Sequence, residues 1–266
     1  MNAHPTAIVS RHAELDPTVE IGPYAIIEDE VSLGKNVKVY AHAYICNGTR
    51  IDEGTEIHMG AVIGHLPQDL AFEGKKSYLK IGKKNIIREY VTIHRGTKED
   101  SSTQIGDESF LMALSHVGHN CKLGNKVILA NGALLAGYVN VADGVFISGN
   151  VVVHQFCNIG KLAIIGGFSG VNKDVPPYMA VRGPSSVWSI NLVGLRRAGY
   201  KSKTISEIKE AFKLIYKSDL NTDQAITKIV EGNPGKEVMD LIEFIKNSKR
   251  GICKYRFSPD DKDYFG

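Results

Sequence analysis

The chain has 266 residues, 43% of them hydrophobic and 23% charged, enough for one large or two modest folded units and too apolar for a disordered chain. Lys and Arg number 32 against 29 Asp and Glu, and a net charge of +3 is too small to imply nucleic-acid binding. With no apolar run long enough to span a bilayer and no basic-then-apolar leader in MNAHPTAIVSRHAEL, a cytoplasmic protein without stable membrane insertion is expected.

From Val9 onward an aliphatic residue returns at every sixth position: Leu15, Ile21, Ile27, Leu33, Val39, Ile45, Ile51, Ile57 and Ile63. The frame lapses at Asp69 and Lys75, resumes at Ile81, lapses again at Glu99, and then holds from Ile105 to Val171. A hexapeptide period signals a parallel β-helix, in which three hexads make one triangular coil of about 18 residues. The aliphatic residue of each hexad points inward, and stacked coils bury together what one coil leaves exposed. Glycines that follow many frame positions, such as Gly22, Gly34, Gly118 and Gly160, are expected to relieve turns where φ is positive. The period itself leaves the handedness of the coil open.

The two lapses predict excursions from a corner of the coil, at residues 64–80 and 97–104. The prolines Pro176, Pro177 and Pro184 stop the repeat. From about Asn191 the period becomes helical, with a stripe of Ile205, Ile208, Phe212, Ile215 and Tyr216 behind the candidate starts Thr204 and Ser206. Thr222–Val230 and Lys236–Lys249 read as two more helices, and residues 255–266 lack periodicity. The expected organisation is a mainly β solenoid over 1–190 followed by a small helical domain over 191–266. Lysines crowd Lys201–Lys217, which suits an acidic partner.

Coil geometry turns sequence spacing into proximity. Residues 18 apart stack, so His119, Gly137 and Gln155 form one column and Gly118, Ala136 and His154 its neighbour. If the second excursion adds one hexad, His94 and Arg95 fall beneath Gly118 and His119. A neutral imidazole at His119 suits a general base. Gly137, without a side chain, lets a substrate approach its N–H, a donor for a developing oxyanion. A bland reading remains for each residue alone, as a polar or permissive turn position. A zinc site needs three imidazoles around an open position. His94, His116, His119 and His154 suffice in number, but their columns do not converge on one centre. Cys46, Cys121, Cys157 and Cys253 show no CxxC spacing and read as reduced, small buried fillers.

The segments SHVGHNCKLGN, LLAGYV, VVHQFCNIGK, GVNKDVPPYMAVRG and GLRRAGY, with HLPQDL, REYVTIHRGT and AFKLIYKS, resemble the UDP-N-acetylglucosamine O-acyltransferase family of lipid A biosynthesis across essentially the whole chain. The resemblance implies a left-handed coil and a cytoplasmic homotrimer with sites between adjacent solenoids. It implies transfer of a 3-hydroxyacyl group to the glucosamine 3-hydroxyl of UDP-N-acetylglucosamine. No metal or organic cofactor is implied; the acyl donor rides on the phosphopantetheine of acyl carrier protein. By match to the family motifs, His119 is the base and Gly137 the oxyanion donor. Gln68, Asp69, His116, Tyr138, His154, Gln155, Asn191 and Arg197 surround the nucleotide-sugar, and Gly167 bounds the acyl groove.

The chain departs from the family pattern at Asn120, where an acidic residue is familiar, and at Tyr138, where His is frequent. Ala71, Val193 and Ala198 likewise replace familiar polar residues. These departures leave a 3-amino UDP-sugar, acylated to an amide, as an alternative acceptor. A metal-dependent hexapeptide enzyme and a non-catalytic binding scaffold are alternatives of other classes. The later N-acyltransferase of the same pathway carries an additional uridine-binding domain before its repeats, which here begin by Val9.

Overall fold

The computed structural model describes residues 2–256. The expectation for residues 255–266 lies outside them from residue 257 on. The hexads form short strands that wind through three parallel sheets of 12, 9 and 8 strands, here called faces I, II and III. Successive hexads visit successive faces: His116–Val117 lies on face II, Lys122–Leu123 on face III and Ile128–Leu129 on face I. In the regular coils partners are 18 residues apart, as in His116 with Leu134 and Lys122 with Asn140. The architecture is the left-handed parallel β-helix read from the hexads, with helices after it.

Frame residues supply the core because period-two alternation within each short strand turns one residue in and the next out. Ile27, Ile57, Ile93, Leu111, Leu135, Ile147 and Ile165 are all fully or almost fully buried. A second inward column falls two residues before each frame position and takes small or β-branched side chains: Ala25, Val31, Ala43, Ala61, Val91, Ala133 and Val151. Cys121 and Cys157 occupy this column, which makes them corner fillers. Burial pushes the Cys121 thiol up to about 12 and the Cys157 thiol up to about 11, far from a nucleophile's range.

The glycines after the frame positions serve a purpose other than the one expected. Positive φ recurs two positions further on, at Tyr24, Asn36, Asn120, Tyr138 and Phe156, and those residues are mostly not glycine. Gly22 is small because the next coil passes over it: a Cβ there would lie 2.8 Å from Ala41 N. Gly118 meets Ala136 C at the same distance. Close backbone approach, rather than a left-handed turn, selects glycine at this position.

The excursions are shorter than the lapses in the frame. Tyr78–Ile81 and Ser102–Ile105 are strands of face III, paired with each other in register, so the protruding chain narrows to 66–77 and 97–101. Across the first, Val62 pairs with Thr92; across the second, Thr92 pairs with His116, an offset of 24 residues, one coil plus one hexad. After Val171 a hairpin that the hexads did not announce, Met179–Arg182 with Ser186–Ile190, extends face I as its only antiparallel pair among the described strands.

The helices are α1 (Leu192–Arg197), α2 (Ser202–Tyr216), α3 (Thr222–Glu231) and α4 (Lys236–Asn247). Helix α2 starts before the expected Thr204 and Ser206, because Lys201 enters it from extended backbone without a side-chain cap. Helix α3 does carry a capping box, Asn221 with Gln224. Ile208, Phe212, Ile226, Leu241 and Ile242 join the same apolar cluster as the coil core. Lys254–Tyr255 then returns to pair with the hairpin on face I.

Candidate active site

His119 stands at the corner between faces II and III. Its carbonyl accepts from Tyr138 N–H at 2.9 Å, and the carbonyl of Gly137 accepts from Phe156 N–H at 3.1 Å, so the column His119, Gly137, Gln155 is formed as the period predicts. The 24-residue offset places His94 and Arg95 beneath Gly118 and His119, as the one-hexad excursion requires. The His119 ring lies against Gly137, and a Cβ there would fall 2.5 Å from its Nε2. Glycine here makes room for the imidazole as it stands.

In the regular coils the second residue after a frame position holds an N–H that the coil backbone does not use; Arg95, at the second excursion, is an exception and donates to His65 O at 3.1 Å. Pro5, Pro17 and Pro23 occupy this position in the first coils, which shows that the coil tolerates its loss. At the corner between faces III and I side chains of the next coil capture it: Asn125 N–H donates to Asp143 Oδ1 at 2.7 Å. Among the described residues no hydrogen bond is donated by Gly137 N–H. The position that elsewhere holds a carboxylate oxygen is therefore free beside His119.

A groove of about 330 Å³ opens here, lined by Gln68, His94, His116, Gly118, His119, Ala136, Gly137 and Gln155 and by the apolar Leu134, Leu135 and Val152. Asp69 reaches in from the first excursion, its Oδ2 3.8 Å from His119 Nε2. That distance is too long for a hydrogen bond, and the carboxylate faces the ring across the mouth of the groove. His119 Nδ1 meets Asn120 Oδ1 at 3.1 Å. Asn120 Oδ1 also accepts from Thr97 N–H and Thr97 Oγ1–H, and the Tyr138 hydroxyl lies 3.0 Å from Thr97 Oγ1. His116 Nδ1 pairs with Thr92 Oγ1 at 2.7 Å, and its ring stands edge-on to His94. Burial, reinforced by neighbouring histidines, holds His94 down at about 4 and lowers His116 as well, so both are neutral near pH 7.

The remaining expected site residues do not line this groove. His154 sits over Arg250, whose Nη2 is 3.3 Å from its Nδ1, and does not line the groove. Asn191 caps α1 by accepting from Gly194 N–H and ties that helix to the coil by donating to Leu162 O. Arg197 lies in the last turn of the same helix. Gly167 lies at the corner between faces I and II, over Gly149 O, with exposed Phe168 beside it. A larger groove of about 670 Å³, where Lys126 and Lys161 face Tyr200 and Lys201, contains none of the expected residues. Among the described residues no group of three His, Cys, Asp or Glu side chains is placed to hold a metal. Nor is any described helix long and apolar enough to cross a membrane.

Thr97, Thr103 and Arg250 escaped the sequence reading. Thr103 had a usable signal, since it stands 18 residues before Cys121 and so beneath it, next to Asn120, whereas Thr97 lies in the excursion, where hexad spacing does not fix proximity.

Comparison with known proteins finds relatives over nearly the whole chain. Residues 174–253 match the family model described as UDP N-acetylglucosamine O-acyltransferase, domain 2, and residues 102–137 match the bacterial transferase hexapeptide model. A Thermodesulfovibrio yellowstonii protein named acyl-(acyl-carrier-protein)–UDP-N-acetylglucosamine O-acyltransferase is 46% identical over 254 residues, covering 94% of this chain and 98% of its own. A Synechocystis protein of the same name is 50% identical over 182 residues, 68% of this chain and 66% of its own. The solved UDP-N-acetylglucosamine acyltransferase of Bacteroides fragilis superposes with a TM-score of 0.91 at 41% identity, covering 94% of this chain and 98% of that one. With an identity this high over nearly the full length of both chains, the protein belongs to the UDP-N-acetylglucosamine O-acyltransferase family.

Proposed function

We propose that this chain transfers a 3-hydroxyacyl group from the phosphopantetheine of acyl carrier protein to the 3-hydroxyl of UDP-N-acetylglucosamine, the opening step of lipid A biosynthesis. His119 Nε2 takes the proton of the sugar hydroxyl. The oxygen attacks the thioester carbonyl, and Gly137 N–H holds the oxyanion. Collapse breaks the C–S bond, and the departing thiolate recovers the proton from the imidazolium, which Asp69 has stabilised. Gln68, Asp69, His116 and Gln155 hold the sugar, and Leu134, Val152 and Gly170 on face II lead the acyl chain towards Gly167. The observation that carries this reading is the unspent Gly137 N–H directly against the His119 ring.

The working unit is a cytoplasmic homotrimer. Support comes from the outward residues of the coil. From Ile86 on, face I presents Ile86, Phe110, Ile128, Phe146 and Ile164, after Glu20, Lys38 and Glu56 in its earlier coils; face II presents Ile8, Ile26, Tyr44, Val62, Leu134 and Val152, whereas face III presents Lys80, Gln104, Lys122, Asn140 and Asn158. Faces I and II meet at a corner that exposes Tyr24, Met59, Tyr90 and Leu114. A ring of three copies with this corner on the axis packs face I of one copy against face II of the next. The His119 corner of one copy then adjoins the neighbour's corner between faces III and I, where α1 carries Asn191 and Arg197. Arg197 there suits the pyrophosphate. His154 lies at the same His119 corner, and the lysines of α2 suit the acidic carrier protein.

His119→Gln tests the reading. With an acyl carrier protein thioester and UDP-N-acetylglucosamine, turnover falls by at least about 10³-fold while the circular dichroism spectrum is unchanged. Near-normal turnover removes His119 from the mechanism. Mass analysis with the 3-hydroxy and 3-amino sugars side by side identifies the acceptor; a base-stable amide formed in preference to the base-labile ester replaces the hydroxyl acceptor with the amine.

A further inference from the structure

Around His119 the hydrogen bonds run in one direction. The Thr97 N–H can only donate, and it meets Asn120 Oδ1 at 3.1 Å, so the carbonyl end of that side chain is turned towards Thr97. The Thr97 hydroxyl donates to the same oxygen at 2.9 Å. Its single proton is thereby used, which makes the Tyr138 hydroxyl the donor of the pair it forms with Thr97. His119 Nδ1 faces the same Asn120 oxygen and must carry a proton to bond it. A neutral imidazole has only one N–H, which leaves Nε2 with its lone pair. The Asn120 backbone is pinned as well, its N–H donating to Thr103 Oγ1 at 2.8 Å, and Thr97 and Asn120 are both buried.

We infer that Thr97 is a positioning residue, which sets the orientation of the Asn120 amide and through it the tautomer in which His119 can accept a proton at Nε2. This rests on His119 acting as the base. An amide has a wrong way round. Reversed, the Asn120 NH₂ would face His119 Nδ1, the ring proton would sit on Nε2, and no base would face the groove. Thr97 excludes that arrangement with two donors, and Tyr138 fixes the direction of the second.

A carboxylate has no wrong way round, and this supplies the test. Thr97→Val keeps the shape and the N–H but removes the hydroxyl. It lowers kcat about 10-fold with KM changed less than about 2-fold, while Thr97→Ser stays near the parent. In an Asn120→Asp background the same Thr97→Val change costs less than about 3-fold, because either carboxylate oxygen accepts from Nδ1–H. A Thr97→Val loss of the same size in both backgrounds, or no loss in the parent, overturns the assignment.

Asn120→Asp also gives a pH readout. Negative charge at Nδ1 favours the imidazolium, so the acid limb of kcat/KM against pH moves upward. The other titratable or charged groups facing His119 stay in place: Asp69 from the excursion, His116 and His94 on face II, Arg95 one coil below, and Tyr138 one coil above. An unmoved limb contradicts the amide's role. His119→Gln separates the two levels. Retained activity there ends the base reading itself, whereas lost activity together with an unrescued double variant ends only the role of Thr97.

Discussion

His94 shows how a single buried side chain couples the site to the stability of the coil. It is 5% exposed, and its Nδ1 has no hydrogen-bond partner among the described residues. Burial, then the charges of His116, His65 and His119, bring it down from 6.5 to about 4. Between these values the unfolded chain binds a proton that the folded chain refuses. Stability is therefore complete above about 6.5 and is lost as pH falls towards 4, by at most about 3 kcal/mol. Thermal melts at pH 7 and pH 5 check this: the parent loses melting temperature on acidification, and His94→Asn loses less. A difference between the two pH values that is the same in both proteins removes His94 as the cause. The same residue marks what was legible. Its column was read from period alone, because backbone stacking carries residue spacing straight into space. The direction of the Thr97, Asn120 and Tyr138 hydrogen bonds was not legible, since it depends on which atoms donate and on where the second excursion rejoins its coil.

At the level of the hexad, inward and turning positions obey different rules, and only one of them is written in residue type. The frame is plain because a triangular coil has no room for a polar side chain on its axis, so Ile, Leu and Val recur. The left-handed turn position is hidden, since Tyr, Glu, Asn, Lys, Leu and Phe all occupy it at φ between 53° and 64°. At most of these positions exposure makes this possible: the side chain points into solvent, and only the backbone bears the cost, Asn120 being the buried exception. Asn36, exposed with φ of 55°, isolates that cost. Asn36→Gly leaves stability within a few tenths of a kcal/mol or raises it, whereas Asn36→Val lowers it by about 1–2 kcal/mol, because a β-branched side chain crowds the left-handed backbone. Chemical denaturation of the two variants measures the difference, and equal midpoints refute the account. The hairpin after Val171 was missed for a related reason. Its prolines announce an end to the repeat and say nothing about what the chain does next.

For the whole molecule the decisive feature is that the residues assigned to the site by the proposed function lie at two different corners of one chain. His119, Gly137, Asp69 and Gln155 belong to one corner, while Asn191 and Arg197 are held at another by the N-cap of α1 and its bond to Leu162 O. In the proposed three-fold ring these corners meet across each interface, and every site then draws its base from one copy and its Arg197 from the next. Two chains that are each inactive then complement each other. In trimers of His119→Gln chains the base is missing from every site, and in trimers of Arg197→Ala chains the guanidinium is. In a random mixture of the two, a site is intact when the copy giving His119 carries the Arg197 substitution and the copy giving Arg197 carries the other. That occurs at about a quarter of interfaces for equal amounts, and co-expression should recover about a quarter of parental activity. Mixing the two proteins after separate assembly should recover none until subunits exchange. If all site residues came from one chain, no mixture would recover activity, and the sharing of sites between copies would be refuted while the fold and the role of His119 stood unchanged.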